Sequence, residues 1–313
     1  MNQVVAFLKL IRWPNLLFIA LTQLLFQYCL LRPIFKKSSV APVIDDPIFL
    51  VILIASILIA AAGYIINDYF DINIDQINKP HKQFIPKYVS RRWAILWNSL
   101  LSGAGVALSF YAGWKAGVWW IGPANFVCTF LLFIYSSTFK KRFLSGNVII
   151  ALLTAWTVAI LGLASFYHLY YDNIKTVAMQ GRILRFTILY TAFAFVISLI
   201  REAVKDMEDL RGDVQYGCKT LPIIAGINAA KTYVLVWLSV LIGALLVVQL
   251  YAAQLGWWLA VAYGFCFLIA PLCYLFFNFI KLREATGYHR MASLAKLIML
   301  SGILSLLFFK LYL

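Results

Sequence analysis

Apolar runs near 20 residues recur along this chain, broken by short polar segments. A helix needs about that length to cross a hydrocarbon core of roughly 30 Å. Nine such runs stand at about 15–31, 48–66, 93–113, 117–137, 146–167, 183–200, 230–250, 256–279 and 293–312. They predict an all-α polytopic membrane protein of nine transmembrane helices, forming one domain over residues 1–313. The stretch from Gly146 to Ser165 carries no charge and is the clearest span. Residues 3–12 read as an interfacial amphipathic segment leading into the first span. The start lacks a basic n-region and a small-residue cleavage site, so a cleavable signal peptide is not expected.

Composition agrees with lipid as the solvent. Hydrophobic residues make up 63% of the chain, charged residues 12%, and the mean hydropathy is +0.86. A soluble domain carries about a quarter charged residues. The net charge of +15 invites a nucleic-acid partner, but the placement of the charges argues for topology instead. With the amino terminus cytoplasmic and the loops alternating, 19 of the 27 Lys and Arg residues fall on the cytoplasmic side. The expectation is therefore a multi-pass protein, of the inner membrane if bacterial, with lipid contacts and no nucleic acid. The five cysteines show no metal-ligand or redox spacing and read as small hydrophobes.

Acidic residues are scarce and clustered. Eight of the 12 lie in two segments: Asp68, Asp71 and Asp75, then Glu202, Asp206, Glu208, Asp209 and Asp213. Both segments fall at span ends on the side assigned as cytoplasmic, one after the second span and one after the sixth. Carboxylates near a bilayer are costly and usually functional. Asp68, Asp71 and Asp75 stand at i, i+3, i+7, and Asp206, Asp209 and Asp213 repeat those intervals. On a continuous helix such positions share roughly 60° of arc, so each motif is expected to present a stripe of three carboxylates.

Aligned like charges destabilise a helix and imply a neutralising cation. Oxygen-only ligands suit hard ions such as Mg2+ rather than zinc. Magnesium takes one or two carboxylates and completes its shell with water and substrate phosphate. Two facing stripes would therefore clamp a metal-bridged diphosphate, with Asp71 and Asp209 as the expected catalytic positions. Basic residues flank both: Lys79, Lys82 and Lys87 after the first, Arg201 and Lys205 before the second. A leaving diphosphate needs such cations because its charge grows as the bond breaks.

The segment Asn67-Asp68-Tyr69-Phe70-Asp71-Ile72-Asn73-Ile74-Asp75 resembles the NDxxDxxxD motif of the UbiA superfamily of membrane prenyltransferases. Lys205-Asp206-Met207-Glu208-Asp209-Leu210-Arg211-Gly212-Asp213 resembles its second motif, KDxxDxxxD, followed by Gly217, Thr220, Leu221 and Pro222. The nine spans and the Arg12-Trp13-Pro14-Asn15 entry extend the resemblance over the whole chain. It implies a bundle around a central cavity, Mg2+ and a polyprenyl diphosphate donor at the aspartate motifs, and a prenyl cation that alkylates a lipophilic acceptor. The residues expected to contact diphosphate or substrate are Asn15, Asn67, Lys79, Lys82, Arg142, Arg201 and Lys205.

Asn78-Lys79-Pro80 and Arg201-Glu202 resemble the geranylgeranylglyceryl-phosphate branch of that superfamily, so a prenylated glyceryl phosphate is the expected acceptor and geranylgeranyl diphosphate the expected donor. An aromatic acceptor of quinone biosynthesis is the alternative. One departure stands in the continuation of the first motif, KPxRPIPSG in the family and Lys79-Pro80-His81-Lys82-Gln83-Phe84-Ile85-Pro86-Lys87 here. The Arg position is Lys82, and the small, flexible end is lost. His81, His168 and His289 have no ligand partner at suitable spacing and read as interfacial. A transporter also buries acids in a bundle, but at mid-membrane on broken helices rather than at span ends beside lysines. Intramolecular cyclisation of a prenyl diphosphate is a third possibility, separable from transfer only by its product.

Overall fold

The computed structural model describes residues 3–78, 84–85, 88–167, 174–282 and 285–312. Among these residues the chain is helical throughout, without strands. A short α1 (Gln3–Leu10) precedes the first long helix, α2 (Trp13–Ser38). Then come α3 (Asp46–Phe70), α4 (Ile72–Asn78), α5 (Arg91–Ala116), α6 (Ile121–Ser137) and α7 (Ser145–Tyr167). The second part comprises α8 (Ile174–Glu208), α9 (Leu210–Gln215), α10 (Leu221–Ile224), α11 (Gly226–Gln254), α12 (Trp258–Lys281) and α13 (Ala285–Leu304). Eight helical segments are long and apolar enough to cross a bilayer, and α6, 17 residues long, is a shorter apolar helix. These nine coincide with the nine apolar runs of the sequence, and the chain is an integral, multi-pass membrane protein.

Local chemistry explains several helix boundaries. Asp45 caps α3 by accepting the Ile48 amide at 2.9 Å, with Pro47 in the first turn where its missing N–H costs nothing. Gly117 ends α5 at φ 69°, the left-handed conformation that glycine adopts without a Cβ penalty. Helices α2 and α12 each contain a π segment, Phe26–Leu31 and Phe265–Ile269, ending two residues before Pro33 and Pro271. A proline ring clashes with the carbonyl four residues back, and widening the preceding turn relieves that clash without breaking the span.

Packing is close where side chains are small. Helices α3 and α5 run along one another, as do α7 and α8. A Cβ at Gly105 of α5 would lie 2.7 Å from Ile59 and 3.1 Å from the Ala55 carbonyl of α3, so that crossing depends on glycine. Polar side chains tie helices inside the bundle. The fully buried Gln23 donates from Nε2 to Ser56 Oγ and the Thr157 carbonyl, both at 3.0 Å, joining α2, α3 and α7. Asn125 donates to Ser109 at 2.8 Å and accepts from Trp156 Nε1 at 2.9 Å. Such bonds have no competing water in lipid. Trp114, Leu250, Leu259 and Phe277 face outward, as residues against lipid should.

Candidate active site

The two aspartate motifs lie at the same end of the bundle. In both, the helix breaks at the middle aspartate: Asp71 separates α3 from α4, and Asp209 separates α8 from α9. Backbone hydrogen bonds bridge each break, Asp75 N to Asp71 O at 2.8 Å and Asp213 N to Asp209 O at 3.2 Å. The sequence intervals predicted two aligned stripes on continuous helices, and the structure corrects that picture. Among the described residues, no three acidic, histidine or cysteine side chains converge as a ready metal cage. The carboxylates of Asp68, Asp71 and Asp206 take partners from surrounding elements.

Asp68 accepts from Arg12 Nη2 at 2.5 Å. Arg12 lies between α1 and α2 at φ 51°, a left-handed conformation that costs a non-glycine residue about 1–2 kcal/mol. Burial disfavours the Arg12 charge, but Asp68 outweighs it and holds the guanidinium pKa above its ordinary value. Asp71 is only 2% exposed, and its Oδ2 accepts from both Lys140 and Asn67, the latter at 2.8 Å. Burial also opposes the Lys140 charge, and Asp71 again prevails and raises its pKa. Asp75 follows one turn later on α4.

The second motif is held differently. Asp206 accepts from Asn147 Nδ2 at 2.9 Å. The buried Glu202 accepts from Arg201 at 2.6 Å and from Lys205 at 3.1 Å. Asp209 and the buried Asp213 flank the first turn of α9, and the Asp213 carbonyl accepts the Cys218 amide at 2.9 Å. Burial, with Asp213 nearby, pushes the Cys218 thiol up to about 11. Glu208 pairs with His289 Nδ1 at 2.8 Å, so that histidine ties α13 to the motif rather than standing alone at the interface.

Three cations meet beside these motifs. Lys296 of α13 donates to Asn15 Oδ1 at 2.7 Å and lies 5.0 Å from the Phe18 ring centroid. Arg201 and Arg12 lie close enough to act on it electrostatically. Tyr64 lies there too, its ring centroid 5.2 Å from Arg12 Cζ.

Of the residues expected from sequence, the structure brings Asn15, Asn67, Arg201, Lys205 and the aspartates to one end. Arg142 is exposed, with its guanidinium 5.3 Å from the Phe139 ring, and it is Lys140 that reaches the carboxylates. Lys79, Lys82, His81, Lys87 and His168 lie outside the described residues. Arg12, Asn78, Lys140, Asn147 and Lys296 escaped the sequence reading as site residues. Lys140 sits in a run of three cations, and only packing distinguishes it from Lys141 and Arg142. The donor set fits a hard cation, since every candidate ligand oxygen belongs to a carboxylate or an amide.

The model of the UbiA prenyltransferase family matches residues 38–299. A digeranylgeranylglyceryl phosphate synthase from Pyrococcus abyssi is 34% identical over 180 residues, 57% of this chain and 56% of its own length. The enzyme of that name from Methanothrix thermoacetophila is 34% identical over 199 residues, 61% of this chain and 63% of its own. The chain thus spans between half and two thirds of the length of these curated relatives. A solved digeranylgeranylglyceryl phosphate synthase structure superposes with a TM-score of 0.62 at 21% identity, covering 98% of this chain and 99% of the other. A UbiA homologue from Archaeoglobus fulgidus, bound to DMAPP and Mg2+, gives 0.57 at 14% identity, covering 96% and 98%. At these identities the solved structures establish a shared fold.

Proposed function

The chain belongs to the UbiA prenyltransferase family, and on that premise we propose that it transfers a prenyl group to a prenylated glyceryl phosphate. The donor is a polyprenyl diphosphate, with geranylgeranyl diphosphate the expected species, and the reaction depends on Mg2+. The observation that carries this reading is the meeting, at one end of the bundle, of two sets of carboxylates with Arg12, Lys140, Arg201, Lys205 and Lys296. Carboxylates suit a divalent cation, and the surrounding bases suit phosphate.

Asp68, Asp71, Asp75, Asp206, Asp209 and Asp213 would hold Mg2+, which when bound offsets the charge that builds on the departing diphosphate. Asn67 and Asn147 orient the Asp71 and Asp206 carboxylates. Lys140 and Arg12 neutralise the first motif through Asp71 and Asp68, and they are placed to turn to phosphate oxygens when diphosphate binds. Lys205 stands beside Asp206 for the same purpose, and Asp71 and Asp209, at the two helix breaks, are the positions on which turnover depends most. In the transfer, the acceptor hydroxyl oxygen forms a bond to the allylic carbon, the allylic carbon–oxygen bond breaks, and diphosphate and a proton leave.

The acceptor phosphate fits the pair Arg201 and Lys296. A guanidinium binds phosphate through paired hydrogen bonds, and Lys296 adds a point charge from α13. Digeranylgeranylglyceryl phosphate synthases from several archaea match this chain, which supports a glyceryl phosphate over an aromatic acid. The basic asymmetry of the loops supports a cytoplasmic face for the motif end and the amino terminus. The test is a membrane assay pairing labelled prenyl diphosphates with glyceryl-phosphate and aromatic acceptors. A lipid ether formed only with Mg2+ is expected. Prenylation of an aromatic acid alone, with every glyceryl phosphate ignored, would overturn the acceptor assignment.

A further inference from the structure

Asn78, the last residue of α4, makes two hydrogen bonds to the second aspartate motif. Its Nδ2 donates to the Asp209 carbonyl at 3.0 Å, and its Oδ1 accepts from the Gly212 amide at 2.9 Å. These are not incidental groups. Gly212 lies in the first turn of α9, where backbone N–H groups lack partners in their own helix. A capping side chain normally satisfies such an amide from the residue before the helix. Asp209 occupies that position, yet its side chain makes no capping hydrogen bond. A residue 134 positions away in the chain caps the turn in its place. Gly212 allows this by having no side chain, since a Cβ there would fall on the Asn78 amide.

The geometry has a consequence for both motifs. Asp75 lies one turn before Asn78 on α4, and Asp71 lies at the start of that helix. On the other side, Asp209 and Asp213 bracket the turn that Asn78 holds. We propose that Asn78 is a positioning residue that staples α4 to α9, fixing the gap between the two sets of carboxylates. This proposal rests on the reading that the motifs together bind a metal-bridged prenyl diphosphate. It concerns the donor half of that reading and is independent of the acceptor.

Three measurements on the full-length protein in nanodiscs test it. The first is hydrogen exchange of the 209–216 segment without metal or substrate. Asn78→Ala speeds exchange at the Gly212 amide if the staple exists, and unchanged exchange refutes it. The second is kinetic. Asn78→Ala raises the donor KM and the Mg2+ concentration for half-maximal rate by roughly tenfold, as loss of two part-buried hydrogen bonds allows, and leaves the acceptor KM nearly unchanged. A raised acceptor KM with an unaltered donor KM would overturn the proposal. The third is a double-mutant cycle. Gly212→Ala is harmful alone because its new methyl displaces the Asn78 amide, whereas Asn78→Ala with Gly212→Ala is no worse than Asn78→Ala. Strictly additive losses would show that the two residues do not act through one contact. Should the protein prove to use an aromatic acceptor, the exchange result still decides the staple, so the two readings fail separately.

Discussion

The two aspartate motifs share their spacing and their central helix break, yet the fold neutralises them by different means. The first is held by full charges brought from elsewhere: Arg12 from the α1–α2 junction on Asp68, and Lys140 from beyond α6 on Asp71. The second is held by neutral amides, Asn147 on Asp206 and Asn78 on the backbone of Asp209 and Gly212. Its own cations, Arg201 and Lys205, are engaged with Glu202 on the same helix. Equal spacing therefore does not imply equal electrostatics. The first motif must exchange the ion pairs on Asp68 and Asp71 when a metal and diphosphate arrive, whereas Asp206 of the second gives up a neutral hydrogen bond from Asn147.

The largest effects should come from the central aspartates. Asp71→Asn and Asp209→Asn are each expected to lower turnover by at least about a thousandfold, with membrane expression intact, because each removes a charged ligand. Rates near wild type in saturating Mg2+ would break the joint-site account. Next comes the difference between the motifs. Lys140→Met leaves Asp71 buried without its ion pair, and the partial exposure of Lys140 limits the loss to about 2 kcal/mol. Asn147→Leu removes one neutral hydrogen bond, worth about 1 kcal/mol. Thermal unfolding of the metal-free protein should rank them in that order, and a reversed ranking would remove the distinction drawn between the two motifs.

Smaller and more selective changes are expected at the acceptor cluster. Lys296→Met and Arg201→Tyr should each raise the acceptor KM about tenfold, the cost of one charge-assisted hydrogen bond, with the donor KM nearly unchanged. A larger change in donor KM would assign both residues to the diphosphate instead. A separate effect, on thiol reactivity rather than turnover, concerns Cys218. Burial and Asp213 both disfavour its thiolate, raising the pKa from 9.0 to about 11. At pH 7.5 it should then react with maleimide about a hundredfold more slowly than an ordinary thiol. Because the pKa is raised, labelling accelerates as pH climbs toward 11. Asp213→Asn should bring that acceleration to lower pH.

The sequence carried the spans well, because a helix that faces lipid must be apolar over its whole length, and among the described residues each of the nine apolar runs lies on a helix. It also singled out the candidate site, since carboxylates at span ends have few structural excuses. What it could not show was the break at Asp71 and at Asp209. The i, i+3, i+7 intervals read the same on a straight helix and on a broken one. Partners drawn from distant helices were hidden for a different reason. Lys140 shares its run with Lys141 and Arg142, and which cation turns inward depends on how the 3-10 turn Phe139–Lys141 packs. Arg12 was visible only as part of an entry motif, and Lys296 only as one of the basic residues that set topology. Asn78 was noticed as part of Asn78-Lys79-Pro80, while its bonds to Asp209 and Gly212 needed the fold.

The central claim is that the two motifs form one donor site. The most direct test is Mg2+-dependent binding of a non-reactive prenyl diphosphate analogue to wild type, Asp71→Asn, Asp209→Asn and the double variant, by titration calorimetry. If the carboxylates act as one clamp, each single variant loses binding about as completely as the double. Two single variants that each retain about half of the bound analogue, with the double losing the rest, would show two independent sites and contradict the account.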